Sequence, residues 1–397
     1  MSLVITNASL LLGKELDHVE KGYISIEDGT IKSTAAGNYE GSGKKLDATG
    51  FLVIPGFINA HTHIGDSIGK DVAIGHRLDA RVHPVFGAKK KILQKSQPEH
   101  LKAFMRNSAI SMMKNGIVAF ADFREDGPEG IMLLKNAIAG LPIKCVALGR
   151  TDYYSNSKDA IGLPPEAVEQ VQRVLEISDG LGISGANENT DLTLSQYRQL
   201  AGKKLVGVHA AESKETIEFS KMHTGRTEID RVMNYLKPDF IVHMTNATED
   251  EISVAAKSGM GIIICPRANG VLGAGMPRVA LMLKQGCLLA IGTDNVMLNS
   301  PDILRELDYS MKASRAIEGE MINPRRLLKM ATVNAAQILR LNSGCIEPGR
   351  AADLVFIDKK HIDLYPIHDP YATIIHRLSQ SSIRAVMING RFVEALN

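Results

Sequence analysis

The chain has 397 residues, 44% of them hydrophobic and 23% charged, with a formal net charge of +2 at pH 7. That length suits one large α/β domain with a small companion, and the near-balanced charge argues against a nucleic-acid or acidic-membrane partner. Four cysteines (Cys145, Cys265, Cys287 and Cys345) lie far apart with no C-x-x-C, which argues against a disulfide framework and a thiolate zinc site and fits a reducing, cytoplasmic setting.

In chain order, "MSLVITNASLLLG" opens as a strand and lacks the basic segment and cleavage site of a signal peptide. "GYISIEDGTIKS" and "KLDATGFLVI" continue as short strands with Gly, Asn and Asp between them. No apolar run reaches the roughly 18 residues of a membrane span. From residue 55 the pattern changes. Apolar runs that end in polar residues alternate with amphipathic segments. The runs are "LVIPGFINAH", "GIVAFADF", "PIKCVALG", "LGISGANE", "KLVGVHAA", "DFIVHMTN", "GIIICPR" and "CLLAIGTD". Helices are expected over 97–115, 164–179, 247–258 and 275–286, several with Pro or Asn/Thr and acids at their starts. Continuous apolar strands alternating with helices mean a parallel sheet covered on its faces. Eight such units suit a closed (β/α)8 TIM barrel over 55–345, with an open doubly wound sheet as the alternative. The tail returns to strands, "ADLVFID" and "SIRAVMINGRFVEAL". Residues 1–54 and 346–397 together are therefore expected to form a small composite β-sandwich domain.

Two smaller features are read as structural. Lys89-Lys90-Lys91 is expected to be a solvated helix end. "GLGISG" at 180–185 matches G-x-G-x-x-G but follows a helix and lies in a strand, the wrong context for a dinucleotide site.

The polar residues at the strand ends carry the chemistry. The first barrel strand ends in His61 and His63, the fifth in His209, the sixth in His243 and the eighth in Asp294. In a parallel barrel the C-terminal strand ends meet at one face, where active sites lie. Strand alternation sends residues i and i+2 to the same side, so H-x-H aims both rings inward. Neutral imidazole and carboxylate suit zinc and similar divalent ions, and a metal with an open position brings the pKa of water toward neutrality.

These motifs, "PGFINAHTH", "VHAAE", "IVHMT", "CPRAN", "AIGTDN" and "ATVNAAQILRLNSGCIEPGRAADLVFID", resemble those of the amidohydrolase superfamily, in its aminohydrolase and chlorohydrolase branch. That branch includes cytosine, guanine and methylthioadenosine/S-adenosylhomocysteine deaminases. The resemblance implies one divalent ion, Zn2+ first with Fe2+ or Mn2+ as alternatives, held by His61, His63, His209 and Asp294. It also implies that Asp294 takes a proton from the bound water, that His243 hydrogen-bonds that water, and that Glu212 of "HAAE" shuttles protons to the substrate and the leaving group. Two-metal members use a strand-four lysine, and "GLGISGANE" has none, which favours a single ion.

The implied activity is hydrolytic deamination of a purine- or pyrimidine-like or other cyclic amidine by metal-bound hydroxide, with release of ammonia. The alternatives are a chlorohydrolase and a ring-opening cyclic amide hydrolase like imidazolonepropionase. A catalytically silent binding subunit would have lost a ligand or the glutamate, and neither is lost. The partner is a small heterocycle, and a homodimer is the family-level expectation.

Further candidates for substrate contact are Arg124 of "DFRE" and Arg150 of "RTD", either of which suits an anionic group or an internal salt bridge. Arg267 of "CPRAN" is a substrate contact or a loop anchor, and Asn269 supports the site. His83 lies in the long 64–96 insertion, whose length suggests a lid. Related purine deaminases carry a tryptophan in that insertion, and this chain has none.

Overall fold

The computed structural model describes residues 2–393. Nine parallel strands curl into one sheet and give a TIM-barrel-like α/β fold. In chain order they are Phe57–His63, Ile117–Arg124, Lys144–Gly149, Gly180–Ile183, Leu205–Ala210, Phe240–His243, Gly261–Ile264, Leu288–Ile291 and Asp294–Asn295. Each of the eight apolar runs supplies a strand, and the short ninth follows the eighth and pairs with the first. The curl brings the chain ends of the sheet together. Thr293 N donates to His61 O at 3.0 Å, and Gly292 N donates to Ile264 O at 2.9 Å. Gly292 is required there, because a Cβ would sit 2.7 Å from the His61 Cβ and 2.8 Å from its backbone. Asn59, on the same strand face as His61 and His63, reaches across to donate to Thr293 Oγ1 at 2.7 Å.

The strands are buried on both faces, as their continuous apolar runs require. The outer face is covered by helices, among them Pro98–Lys114, Gly127–Ile138, Pro165–Ile177, Asp191–Ala201 and Glu249–Ser258. Start signals work as expected. Pro98 and Pro165 open their helices, and Thr248 and Glu251 form a capping box. The helix expected over 275–286 is shorter, Val279–Lys284. Gly275 takes φ 104° and Pro277 follows it, so the chain enters the helix late.

The terminal segments share a second, eight-stranded sheet. Its order is Arg391–Phe392, Ile383–Ile388, Leu354–Asp358, Phe51–Pro55, Ser2–Leu12, Asp17–Glu27 and Thr30–Ala36, with Lys45–Asp47 on Ser2–Leu12. Residues 394–396 of the expected C-terminal run lie outside the described residues. The run "LVIPGFINAH", read as one barrel strand, is two. Phe51–Pro55 pairs with Leu354–Asp358 in the terminal sheet, and only Phe57–His63 enters the barrel. Gly56 makes the break, where a Cβ would fall 2.3 Å from the Val118 side chain. Among the described residues no helix is long and apolar enough to cross a membrane.

Candidate metal centre

His61, His63, His209 and Asp294 converge at the C-terminal ends of the barrel strands, with one ligand atom from each lying within 4.8 Å of the others. His209 Nε2 is 3.2 Å from His61 Nε2 and 3.3 Å from His63 Nε2. Asp294 Oδ1 is 3.4 Å from His61 Nε2 and 3.5 Å from His63 Nε2. Four ligands at about 2.0–2.1 Å around a tetrahedral ion sit about 3.3–3.4 Å from one another, so these edges fit a zinc-sized ion.

The protonation pattern fits as well. His63 Nδ1 lies 3.1 Å from Phe123 O, and His209 Nδ1 lies 2.9 Å from Ser184 O. A carbonyl only accepts, so each Nδ1 carries the ring proton and each Nε2 presents a lone pair. Two lone pairs facing each other at 3.3 Å repel unless a cation lies between them. Burial keeps the rings neutral, bringing His61 and His209 down to about 3 and His63 well below its ordinary value. The backbone is strained here. His243 has φ 80° and Asp294 φ 62°, a left-handed region that non-glycine residues seldom use.

His243 sits beside the cluster without belonging to the four. Its Nε2 is 3.5 Å from Glu212 Oε2, and its Nδ1 is 3.2 Å from Asn269 Nδ2. Glu212, His243 and Asp294 form a second convergent group that shares Asp294 with the first. Burial, then the carboxylates of Asp294 and Glu228, push Glu212 well above the usual carboxylate range. That is the direction a proton-carrying acid requires.

A cavity of about 670 Å³, counting its open mouth, rises above the centre. His63, His209, Glu212, His243 and Asp294 form its floor, and Arg150, His83, Asp79, Asn187, Glu188 and Glu228 line its walls. His83 stacks on Phe86, with ring centroids 3.7 Å apart, and its Nε2 points at Glu188 from 4.0 Å. Arg150 spends one arm on Glu125 at 3.4 Å, while its Nε has no hydrogen-bond partner among the described residues. Three other candidates lie off the cavity wall. Arg124 is buried over Gly65 and paired with Glu125. Arg267 donates to Ser300 O and Asp302 O and faces Glu306 at 3.4 Å. Asn269 lies behind His243.

The lysine run departs from the expectation. Lys89-Lys90-Lys91 is solvated only at Lys91; Lys89 is buried and Lys90 half-buried. The run opens helix Ala88–Lys95, and Lys89 is only 5% exposed. Its ammonium lies 2.5 Å from Glu125 Oε1 and 3.8 Å from Asp66 Oδ2, and it lines the cavity. Lys90 pairs with Asp152 at 3.1 Å and Asp126 at 3.4 Å. Buried carboxylates from distant segments supply the counter-charge, which no local charge pattern reveals. Glu125 is the hub: burial favours its neutral form, yet Lys89 and Arg124 hold it well below the usual range. Its Oε1 lies 3.4 Å from His63 Nδ1, which ties the network to the centre. The polar end of "DFRE" was the only signal for this hub in the sequence.

A sequence profile of the amidohydrolase family matches residues 52–393. A relative from Methanothermobacter thermautotrophicus, provisionally named an aminohydrolase, is 38% identical over 395 residues, covering 99% of each chain. A 5-methylthioadenosine/S-adenosylhomocysteine deaminase from Thermococcus sibiricus is 25% identical, covering 99% of this chain and 94% of its own. Among solved structures, the zinc complex of atrazine chlorohydrolase TrzN from Arthrobacter aurescens TC1 superposes with a TM-score of 0.86 at 20% identity. It covers 98% of this chain and 94% of that one, a likeness of fold. On this evidence the chain is a hydrolase of carbon–nitrogen bonds and belongs to the amidohydrolase family.

Proposed function

We propose that the chain is a hydrolytic deaminase of a cyclic amidine, a purine- or pyrimidine-like heterocycle, working with one divalent ion, Zn2+ first. The observation that carries this reading is the convergence of three neutral imidazoles and one carboxylate, one ligand atom of each within 4.8 Å of the others, with Glu212 beside it at the cavity floor. His61, His63, His209 and Asp294 would hold the ion. Bound there, it would supply Lewis acidity and lower the pKa of a water toward neutrality. The chain's own groups do the rest. Asp294 accepts the proton of the attacking water. Glu212, kept protonated by burial, donates to a ring nitrogen and later to the leaving amine. His243 donates to the oxygen that becomes anionic. His63, His243 and Asp294 are buried, which limits the access of bulk water to these transfers.

Supporting this reading, relatives across nearly the whole chain are named as deaminases. The fourth strand, Gly180–Ile183, carries no lysine, in keeping with a single ion. Residues 1–54 with 346–397 would be the small composite domain, carrying the shared terminal sheet, with the barrel domain between. Four free cysteines support a cytoplasmic setting.

The test is ammonia release by zinc-loaded protein across a panel of aminated purines, pyrimidines and related heterocycles, with chloride release and ring opening as parallel assays. A Glu212→Gln variant is expected to keep its metal and lose turnover by about 10²–10⁴-fold. No ammonia from any heterocycle, or unchanged turnover in the variant, would refute the reading.

A further inference from the structure

Four imidazoles face the centre, and they are not equivalent. His63 and His209 are fixed by backbone carbonyls, which leaves a lone pair on each Nε2. His243 has a different partner. Its Nδ1 faces the Asn269 side-chain nitrogen at 3.2 Å, and Asn269 Oδ1 accepts from the Thr245 hydroxyl at 3.0 Å. An amide nitrogen only donates, so His243 Nδ1 must accept and the ring proton must sit on Nε2. That proton points toward Glu212 Oε2, 3.5 Å away.

Donors therefore run one way along a chain, from Thr245 to Asn269 to His243 to Glu212. Asn269 is 0% exposed and His243 1%, so bulk water does not compete at the link between them. Turning the amide over would reverse the chain. It would leave Nε2 bare and make His243 a nitrogen ligand aimed at the same centre. The direction drawn gives Glu212 Oε2 a donor, which that oxygen accepts while the carboxyl carries its own proton on Oε1.

We propose that Asn269, oriented by Thr245, is the positioning residue that fixes His243 as the Nε2–H tautomer. This imidazole then meets the centre as a hydrogen-bond donor and is kept from binding the ion in the place an attacking water needs. The consequence for chemistry rests on the metal-hydrolase reading; the tautomer itself does not.

The test uses full-length protein labelled with 15N at histidine, in the metal-free and zinc-loaded forms. Long-range proton–nitrogen correlation reads which ring nitrogen carries hydrogen, and comparison with His243→Gln assigns the signals. Wild type is expected to show His243 protonated at Nε2 and bare at Nδ1. In Asn269→Asp the carboxylate only accepts, so the pattern should reverse with loss of the Nε2–H signal. Asn269→Ala, which leaves both tautomers open, should show a mixed population and covers the case in which the aspartate variant does not fold. A proton on Nδ1 in wild type, or a retained single Nε2–H form in either variant, overturns the proposal. Cobalt(II) in the same proteins gives a second readout, since entry of a further nitrogen in Asn269→Asp should change the visible bands; identical spectra would count against it. Failure to take up zinc or cobalt would sink the metal reading instead, with the tautomer still read in the metal-free protein.

Discussion

Replacing Lys89 with methionine tests whether a lysine that reads as surface is part of the core of the site. Methionine keeps the length and apolar stem but removes the ammonium that lies 2.5 Å from Glu125 Oε1 and 3.8 Å from Asp66 Oδ2. Removing one partner of a buried ion pair costs about 3–5 kcal/mol, mostly because the other charge is left uncompensated. Glu125 would keep Arg124 and, at 3.4 Å, Arg150. The expected loss is therefore at the lower end, about 3 kcal/mol. Lys91, two residues away and exposed, is the internal control; its methionine variant should change stability by under about 0.5 kcal/mol. Urea unfolding followed by two optical probes gives both numbers from shifts in midpoint at constant slope. Equal, small effects for the two variants would mean that the Lys89 side chain is solvated and the Glu125 hub is wrongly drawn.

Burial raises the Glu228 carboxyl to about 7, so the folded state holds a proton that the unfolded chain releases near its ordinary 4.5. The native state then binds more protons across this window, and stability falls as pH rises from about 4.5 to 7, by about 3 kcal/mol for this group. Glu228→Gln, which can still accept from Ala211 N and Thr216 Oγ1, should flatten that decline; an unchanged pH profile of unfolding would refute it. Gly65→Ala would place a Cβ 1.7 Å from Arg124 Nη1 in a buried setting, so a loss of about 1–3 kcal/mol is expected, and an unaltered melting curve would show that Arg124 has room to move. Zinc at a thousand times its dissociation constant should stabilise the protein by about 4 kcal/mol against the metal-free form. In His209→Ala, which removes one of the four ligands, calorimetry should show that gain largely lost; a full gain would displace His209 from the set.

Much of this protein is written in short-range pattern. Eight apolar runs ending in polar residues give a parallel sheet, and the i, i+2 spacing of His61 and His63 puts both rings on one face, because side chains alternate along a strand. A histidine at the end of an apolar strand could be picked out without knowing its neighbours, and so could the capped helix starts. Only the folded chain decided the rest. It closed the edges among His61, His63, His209 and Asp294, brought Gly292 against His61, and split one apparent strand at Gly56. It also gave Lys89 its carboxylates, turned Arg124 and Arg267 away from the cavity, and placed Asn269 behind His243. The physical reason is range. Backbone periodicity is set by adjacent residues. The charge that makes a buried lysine tolerable, or the partner that selects a tautomer, comes from another segment altogether, as Asn59 meets Thr293 from 234 residues away.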